Sequence, residues 1–217
     1  MSDALEARDI EVRFGKQEVL RRFSISVKPG GKAVLTGPSG CGKSTALRCF
    51  LGFVVPEGGT VYIDGTQLTA ETVWDLRKHL AYIAQEPDLG TGTTAEILER
   101  PFHFRANAGL RGNLERIGEL FERFNLSREL LSKDVTALSG GEKQRVALVS
   151  AVLLDRDIFL LDEVTSALDK TSRKAVAEYF RTREDATMLC VAHDQDVFSF
   201  ADQIVELPGG SASKETT

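Results

Sequence analysis

The chain has 217 residues, of which 42% are hydrophobic and 27% are charged, a composition typical of folded globular proteins and outside the disordered range. Lys and Arg number 27 against 32 Asp and Glu, so the net charge of −5 provides no overall basic field for holding a nucleic acid. The sequence contains no run of about 18 to 20 uncharged apolar residues and no signal-peptide layout at its start. We therefore expect a cytoplasmic protein of one domain with a small subdomain.

The cysteine content points to the same compartment. Cys41, Cys49 and Cys190 are an odd number and lack the spacing of metal ligands, which argues against a disulfide framework or a zinc site. Cys49 and Cys190 stand in apolar surroundings and are expected in the core.

The pattern of apolar residues and turn signals in the first half of the chain predicts strands that alternate with helices. The predicted elements are a hairpin of strands at 10–14 and 23–27, a strand at 32–37, a helix over 43–53, a strand at 60–63, a helix over 72–79 and a strand at 81–84. A short apolar strand that leads directly into a helix is typical of a parallel sheet.

The second half begins with a helical insertion, predicted over 93–138. Its apolar residues recur at helical spacing, with charges between them. These residues are Leu110, Leu114, Ile117, Phe121 and Phe124. Beyond it we predict a helix over 139–154, a strand at 158–161, a helix over 170–182, a strand at 187–192, a short helix and a strand at 204–207.

The predicted fold class is α/β, with a mostly parallel sheet, an antiparallel N-terminal β subdomain and an inserted α-helical subdomain. We expect one domain over 1–217, with its core in 1–92 and 139–208, the helical subdomain in 93–138 and a frayed tail in 209–217.

A glycine-rich loop between the third strand and the first helix satisfies the pattern G-x-x-x-x-G-K-[ST]. Its residues are Gly37, Pro38, Ser39, Gly40, Cys41, Gly42, Lys43, Ser44 and Thr45. Such a loop turns backbone N–H groups toward a phosphate, while Lys43 reaches the β- and γ-phosphates and Ser44 offers a hydroxyl to Mg²⁺. The alternative is a chance glycine turn before a helix.

Two acids end the apolar strand near residue 160. In a parallel sheet, Asp162 and Glu163 would lie beside the phosphate loop. Asp162 would then hold Mg²⁺ and Glu163 would polarise the attacking water. The alternative is that they serve as helix caps or solvated turn residues.

The segment LSGGE at 138–142 ends the insertion and opens a long helix. Ser139 and Glu142 have the spacing of a capping box, which is the structural interpretation. Gly140 and Gly141 also expose N–H groups at a helix start, which makes a second phosphate site. One chain has no use for two sites on one γ-phosphate, whereas two chains that cover each other's nucleotide would use both.

These motifs, in this order and with Gln85, the segment SALD at 166–169 and His193, resemble the ATP-binding cassette ATPases of ABC transporters over nearly the whole chain. The resemblance implies a head-to-tail homodimer or pseudo-dimer that encloses two ATP molecules. Ser139 and Gly141 would contact the γ-phosphate bound to the other chain, and Asp169 would lie across the dimer interface.

The resemblance also gives roles to single residues. Gln85 would reach Mg²⁺ and the attacking water, and His193 would hydrogen-bond the γ-phosphate. Phe14 matches the position of an aromatic ring that stacks on adenine, for which only the ring face is needed. Without the resemblance, His193 is interpreted as a structural polar contact and Gln85 carries no signal. The alternative for Phe14 is a hairpin residue packed in the core.

A separate transmembrane permease subunit is implied as a partner, which would place the chain peripherally on the inner face of the cell membrane. Phe102 and Phe104 in the insertion would line a cleft that receives a helix of this permease, or they would pack in the core. In its motifs and its compact insertion the chain resembles small bacterial subunits of iron export and metal resistance. Alternatives are an ABC ATPase that does mechanical work on a membrane partner, one that acts on ribosomes or DNA ends, and a nucleotide-binding module without turnover.

Overall fold

The computed structural model describes residues 2–192 and 198–208, and the first of its two sheets is antiparallel. β1 (Leu5–Phe14) and β2 (Gln17–Val27) form the predicted hairpin, and β4 (Gly58–Ile63) pairs with the other edge of β1. The two-residue strand β5 (Thr66–Gln67), which the sequence analysis did not predict, extends this sheet beyond β4.

The second sheet is parallel throughout and has five strands in the order β6-β7-β8-β3-β9. Its strands are β3 (Lys32–Thr36), β6 (Leu80–Ile83), β7 (Ile158–Asp162), β8 (Thr187–Val191) and β9 (Gln203–Glu206). The α/β fold class with an antiparallel N-terminal sheet is therefore confirmed.

The central strands are apolar along their whole length because both of their faces are covered. Phe159 and Leu161 of β7 point into one apolar cluster, and Ile158 and Leu160 point into the other. Side chains on successive residues of a strand face opposite ways, so a strand buried on both faces loses the apolar-polar alternation of an exposed one.

Six α-helices accompany the sheets in the described residues. They are α1 (Lys43–Phe50), α2 (Val73–Leu76), α3 (Thr94–Glu99), α4 (Ile117–Arg123), α5 (Gly140–Leu153) and α6 (Lys170–Thr182). The predicted helices over 139–154 and 170–182 are confirmed as α5 and α6.

Two predicted helices are shorter than expected. α1 ends at Phe50 because Gly52 adopts φ +65°, and the N–H of Phe53 turns back to the carbonyl of Arg48 at 2.9 Å. α2 ends at Leu76 and continues as a 3₁₀ turn over Arg77–His79.

The periodic stretch of the insertion is only partly α-helical. Leu110 and Leu114 lie on a 3₁₀ segment, Ala108–Arg116, whereas the α-helix begins at Ile117. Gly109 and Gly112 account for the difference, since glycine disfavours the α-helix interior. The apolar residues nevertheless pack into or against one apolar cluster of the core. The division into core and helical subdomain stays a prediction.

Across the described ranges, no helix has both the length and the apolar character needed to cross a bilayer. His193 and the tail at 209–217 lie outside the described residues, as do residues 193–197 of the stretch in which the short helix before β9 is predicted.

Because all five strands of the second sheet are parallel, their carboxyl ends share one edge, and the loops that leave this edge carry the predicted site.

Candidate functional site

The loop at 37–45 joins the carboxyl end of β3 to the start of α1. Gly37 and Gly42 adopt φ values of +134° and +105°, which L-residues rarely reach. A Cβ at Gly37 would lie 2.5 Å from the carbonyl oxygen of Leu207, so the neighbouring backbone also requires glycine there. In the described chain no side chain caps α1, so its first N–H groups are left to an external acceptor. An anion is the natural one.

Lys43 is the first residue of α1 and is 5% exposed. Its Nζ donates to the carbonyl oxygens of Gly37 and Pro38, each at 2.9 Å. The ammonium is therefore folded back onto the loop that it would use to bind phosphate. Phosphate oxygens would be stronger acceptors than these neutral carbonyls, because both partners would then be charged.

Ser44 and Asp162 meet beside this loop. The Ser44 hydroxyl donates to Asp162 Oδ1 at 2.8 Å, and the hydroxyl of Tyr82 on β6 lies 3.4 Å from Oδ2. Asp162 is 3% exposed, and burial raises the pKa of its carboxyl, with a further rise from the charge of Glu163 and an opposing effect of the Ser44 hydrogen bond. A hydroxyl and a buried carboxylate are oxygen ligands that suit Mg²⁺ and would be stabilised by its charge.

Glu163 and Gln85 form a second contact at the same edge. Gln85 Nε2 donates to Glu163 Oε2 at 3.0 Å, across the ends of β6 and β7. Glu163 has φ +49°, an uncommon value for a residue other than glycine, and its N–H donates to the carbonyl of Val191 at the end of β8. Such strain persists where the surroundings hold it, and it is frequent at functional sites. We call Ser44, Tyr82, Gln85, Asp162, Glu163 and the loop at 37–45 the core site.

Residues 138–142, which we call the signature end, are built differently. Ser139 Oγ accepts from the N–H of Glu142 at 3.3 Å, and Glu142 Oε2 accepts from the N–H of Ser139 at 2.8 Å. The capping box is therefore present, and these hydrogen bonds lower the pKa of Glu142, the backbone N–H of Ser139 most of all. Gly140 is exposed, and a Cβ on it would meet open space.

Asp169 is linked to the signature end by hydrogen bonds of Ser172 and Arg145. The sequence analysis missed Arg145. Asp169 caps α6 by accepting from the N–H groups of Thr171 and Ser172, and Ser172 Oγ donates to its other carboxylate oxygen at 2.8 Å. Arg145 donates to Ser172 Oγ at 2.8 Å and to the carbonyl of Gly141 at 3.1 Å. One guanidinium thus ties the first turn of α5 to the start of α6. The KQR string in which Arg145 stands carries no signal for this contact.

The structure leaves Phe14 56% exposed at the end of β1, so the interpretation of Phe14 as a core residue was wrong. The two phenylalanines of the insertion differ in exposure: Phe102 is buried at 2% exposure, whereas Phe104 is 65% exposed. Tyr82 is the other site residue that the sequence analysis missed. It is half-buried between buried Ala81 and Ile83 on β6, and the sequence of this apolar strand gave no signal for a role in the site.

The family model described as ABC transporter matches residues 20–166. The probable iron export ATP-binding protein FetA of Escherichia coli (strain K12) is 32% identical over 210 residues, which cover 95% of this chain and 92% of FetA. The energy-coupling factor transporter ATP-binding protein EcfA1 of Bacillus subtilis (strain 168) is 33% identical and covers 97% of this chain and 77% of EcfA1. A dimeric post-hydrolysis structure of the ATP-binding cassette MJ0796, bound to ADP and Pi, superposes with a TM-score of 0.80 at 25% identity, over 94% of each chain.

The phosphate loop, the paired acids at the end of β7 and the signature end thus occur in a chain that matches this family along most of its length. The protein belongs to the ABC transporter family, as an ATP-binding subunit with ATPase activity.

Proposed function

We propose that two copies of this chain associate head to tail around two Mg²⁺-bound ATP molecules, so that the core site of each copy faces the signature end of the other. The observation that carries the proposal is the meeting of Ser44 with Asp162 and of Gln85 with Glu163 at one sheet edge, beside the phosphate loop. The MJ0796 cassette, which is a dimer, supports the two-chain arrangement.

In the core site, the loop N–H groups and Lys43 bind the phosphates. Lys43 would exchange the carbonyls of Gly37 and Pro38 for the β- and γ-phosphate oxygens. Ser44 and Asp162 would hold Mg²⁺, which neutralises charge on the phosphates when bound. Phe14, exposed at the end of β1, would stack on adenine.

Glu163 acts as the general base in this proposal, and Gln85 orients the water. Gln85 donates to Oε2 of the Glu163 carboxylate, and because a carboxylate offers about four acceptor sites, a water could donate to Glu163 beside the Gln85 amide. By resemblance, His193 contacts the γ-phosphate, but it lies outside the described residues. Ser139, Gly140 and Gly141, with Glu142 as the capping partner of Ser139, would bind the γ-phosphate of the opposite chain. Asp169 would lie between the two sites.

The test is the mass in solution of the Glu163→Gln variant with and without Mg²⁺ and ATP. Gln keeps the size of Glu163 but removes the base, so we expect ATP binding to persist while kcat falls by about 10²- to 10⁴-fold. The closed dimer should accumulate and the mass should double. Glu178→Gln, an exposed change on α6, is the matched control and should behave as wild type. A Glu163→Gln protein that stays monomeric at high concentration with Mg²⁺ and ATP would contradict the two-chain site.

For the partner, we propose a separate membrane permease that contacts the exposed ring of Phe104 and holds the chain at the inner face of the membrane. Phe102 is excluded from that contact because its ring is buried in the core. Phe104→Ala should weaken co-purification with the permease while ATP hydrolysis by the isolated chain stays unchanged. Equal co-purification of Phe104→Ala and wild type would remove Phe104 from the interface.

For the cargo, we propose iron, moved outward. The similarity to FetA supports this assignment. Cells that carry Glu163→Gln in place of the wild-type chain should retain more iron after an iron load. If their iron content matches wild type while another solute accumulates, the cargo assignment is wrong and the ATPase assignment stands.

A further inference from the structure

Gln144 is a buried polar residue of α5 that has no part in the proposed mechanism. It follows Glu142 of the signature end by two positions and is 2% exposed. Its Nε2 donates to the carbonyl oxygen of Ala84 at 3.0 Å. Ala84 comes after the last residue of β6 and immediately before Gln85, so this hydrogen bond holds the backbone from which Gln85 extends.

The side-chain oxygen of Gln144 makes no hydrogen bond that would stabilise the described part of the fold. Within the described residues, Oε1 is buried and accepts no hydrogen bond. Burying a polar atom without a partner costs free energy, and an apolar residue of similar shape would avoid that cost. The orientation of the amide follows from Ala84, because only the NH₂ group can donate to a carbonyl. The contact with Ala84 is therefore what the glutamine provides.

We propose that Gln144 is a positioning residue for Gln85, and that it carries movement of the signature end into the core site. When the signature end engages an anion, α5 shifts as a rigid helix, and Gln144 transmits the shift to the carbonyl of Ala84. Gln85 then changes its distance from Glu163, to which it donates at 3.0 Å in this structure. This inference rests on the proposed function, in which Gln85 orients the water and Glu163 is the base.

A merely structural Gln144 and a positioning Gln144 predict different kinetics. Loss of a structural contact would lower stability, and any kinetic effect would be independent of Gln85. Loss of a positioning contact acts only through Gln85, so the effect disappears when Gln85 is already gone. A double-mutant cycle measures this difference directly.

The experiment compares the ATPase kinetics of wild type, Gln144→Met, Gln85→Ala and the double variant. We expect Gln144→Met to lower kcat by about 10-fold, since small misplacements of a catalytic group are costly, with the KM for ATP within about 2-fold of wild type. The double variant should have the kcat of Gln85→Ala alone. Multiplicative losses in the double variant, or an unchanged kcat in Gln144→Met, would overturn the inference.

Gln203→Met is the matched control. In the wild-type chain, Gln203 Nε2 also donates to a backbone carbonyl, that of Ser26, at 2.6 Å. This hydrogen bond links β9 to β2 and does not involve Gln85. The kcat of Gln203→Met should equal that of wild type. If Gln144→Met does not fold, Gln144→Glu keeps the side-chain length and, once ionised, cannot donate to Ala84, so the same cycle is run with it. If Gln85→Ala itself retains the wild-type kcat, the role of Gln85 in the proposed function has failed, and the inference falls with it.

Discussion

The core site and the signature end both lie at helix N-termini with glycines just before or within the first turn, yet they are completed in different ways. At the core site, Ser44, Tyr82 and Asp162 are already in contact, and α1 has no side-chain cap in the described chain. At the signature end, the Ser139 side chain and Glu142 satisfy each other and Gly140 faces open space. In the proposed function, one chain would therefore supply the ligands of a phosphate and a cation in one place, whereas the signature end is a capped, exposed surface that would bind an anion only with a second chain.

Replacement of Lys43 should weaken phosphate binding at the core site and leave the signature end intact. We expect Lys43→Met to lower ATP affinity by at least about 100-fold, because charge-assisted hydrogen bonds to the phosphates are lost. Titration of a fluorescent ATP analogue would measure this. Lys174→Met, an exposed change on α6, should bind as wild type. Unchanged affinity in Lys43→Met would mean that the loop N–H groups hold the phosphates without the lysine.

A change at Ser139 separates helix capping from phosphate binding at the signature end. Aspartate is as good an N-cap as serine, but its carboxylate would replace the hydroxyl that donates to Glu142 Oε2 at 2.8 Å, so Ser139→Asp should still fold with a loss of about 1 kcal/mol of stability. The new charge would face the γ-phosphate of the opposite chain, and we expect kcat to fall by about 30-fold while ATP binding by the monomer is unchanged. Thermal unfolding, ATP titration and ATPase assays give the three readouts. Full activity of Ser139→Asp would mean that the segment is only a helix cap.

The buried acid of the core site and the capping acid of the signature end should change the stability of the fold with pH in opposite directions. Burial raises the pKa of Asp162, so its ionisation lowers the free energy of unfolding as pH rises through that pKa. Asp162→Asn removes this cost and should stabilise the nucleotide-free chain at neutral pH. Hydrogen bonds from Ser139 lower the pKa of Glu142, so its contribution is present at neutral pH and is lost as pH falls through that lowered pKa. Glu142→Gln should therefore be destabilising at neutral pH.

Both differences from wild type should shrink at acid pH, where the carboxyls are protonated in every form. Unfolding midpoints of the two variants between neutral and acid pH would measure this. Differences of the same sign at neutral pH would show that the two carboxylates are stabilised alike, contrary to their burial. Addition of Mg²⁺ and ATP should reverse the ranking at Asp162, since the cation then stabilises the charged form.

The smallest expected effect is at Phe14. Stacking of an aromatic ring contributes about 0.5 to 1.5 kcal/mol, so Phe14→Ala should weaken ATP binding by about 3- to 10-fold and Phe14→Tyr should not weaken it. The ratio of ATP to GTP affinity should stay near one in all three proteins, because the ring face reads no donor or acceptor of the purine. A strong preference for ATP in competition binding would show that another group reads the base.

Much of the core site could be predicted from the sequence because its motifs are local. The phosphate loop is continuous, and the apolar run that ends in Asp162 and Glu163 marks the carboxyl end of a parallel strand. Parallel pairing then places both at one edge of the sheet. Tyr82 was missed because a half-buried tyrosine in a strand is usual, and only its 3.4 Å distance from Asp162 gives it a place in the site.

The detail of the insertion was predicted less well, because the spacing of apolar residues reports which residues face the core and not the type of helix. Leu110 and Leu114 face the core, yet they do so from a 3₁₀ segment that contains two glycines. Phe102 and Phe104 stand two residues apart in one short segment, and tertiary packing buries the first and exposes the second.

The sequence by itself determined the order of the parallel strands with α1, α5 and α6, the phosphate loop, the paired acids and the capping box, since each depends on residues close together in the chain. Only the tertiary structure decided which of them meet: Gln85 with Glu163, Arg145 with the cap of α6, and Gln144 with Ala84. These contacts join segments far apart in the chain. They depend on how α5 packs beside β6 and α6, and short-range patterns carry no information about that packing.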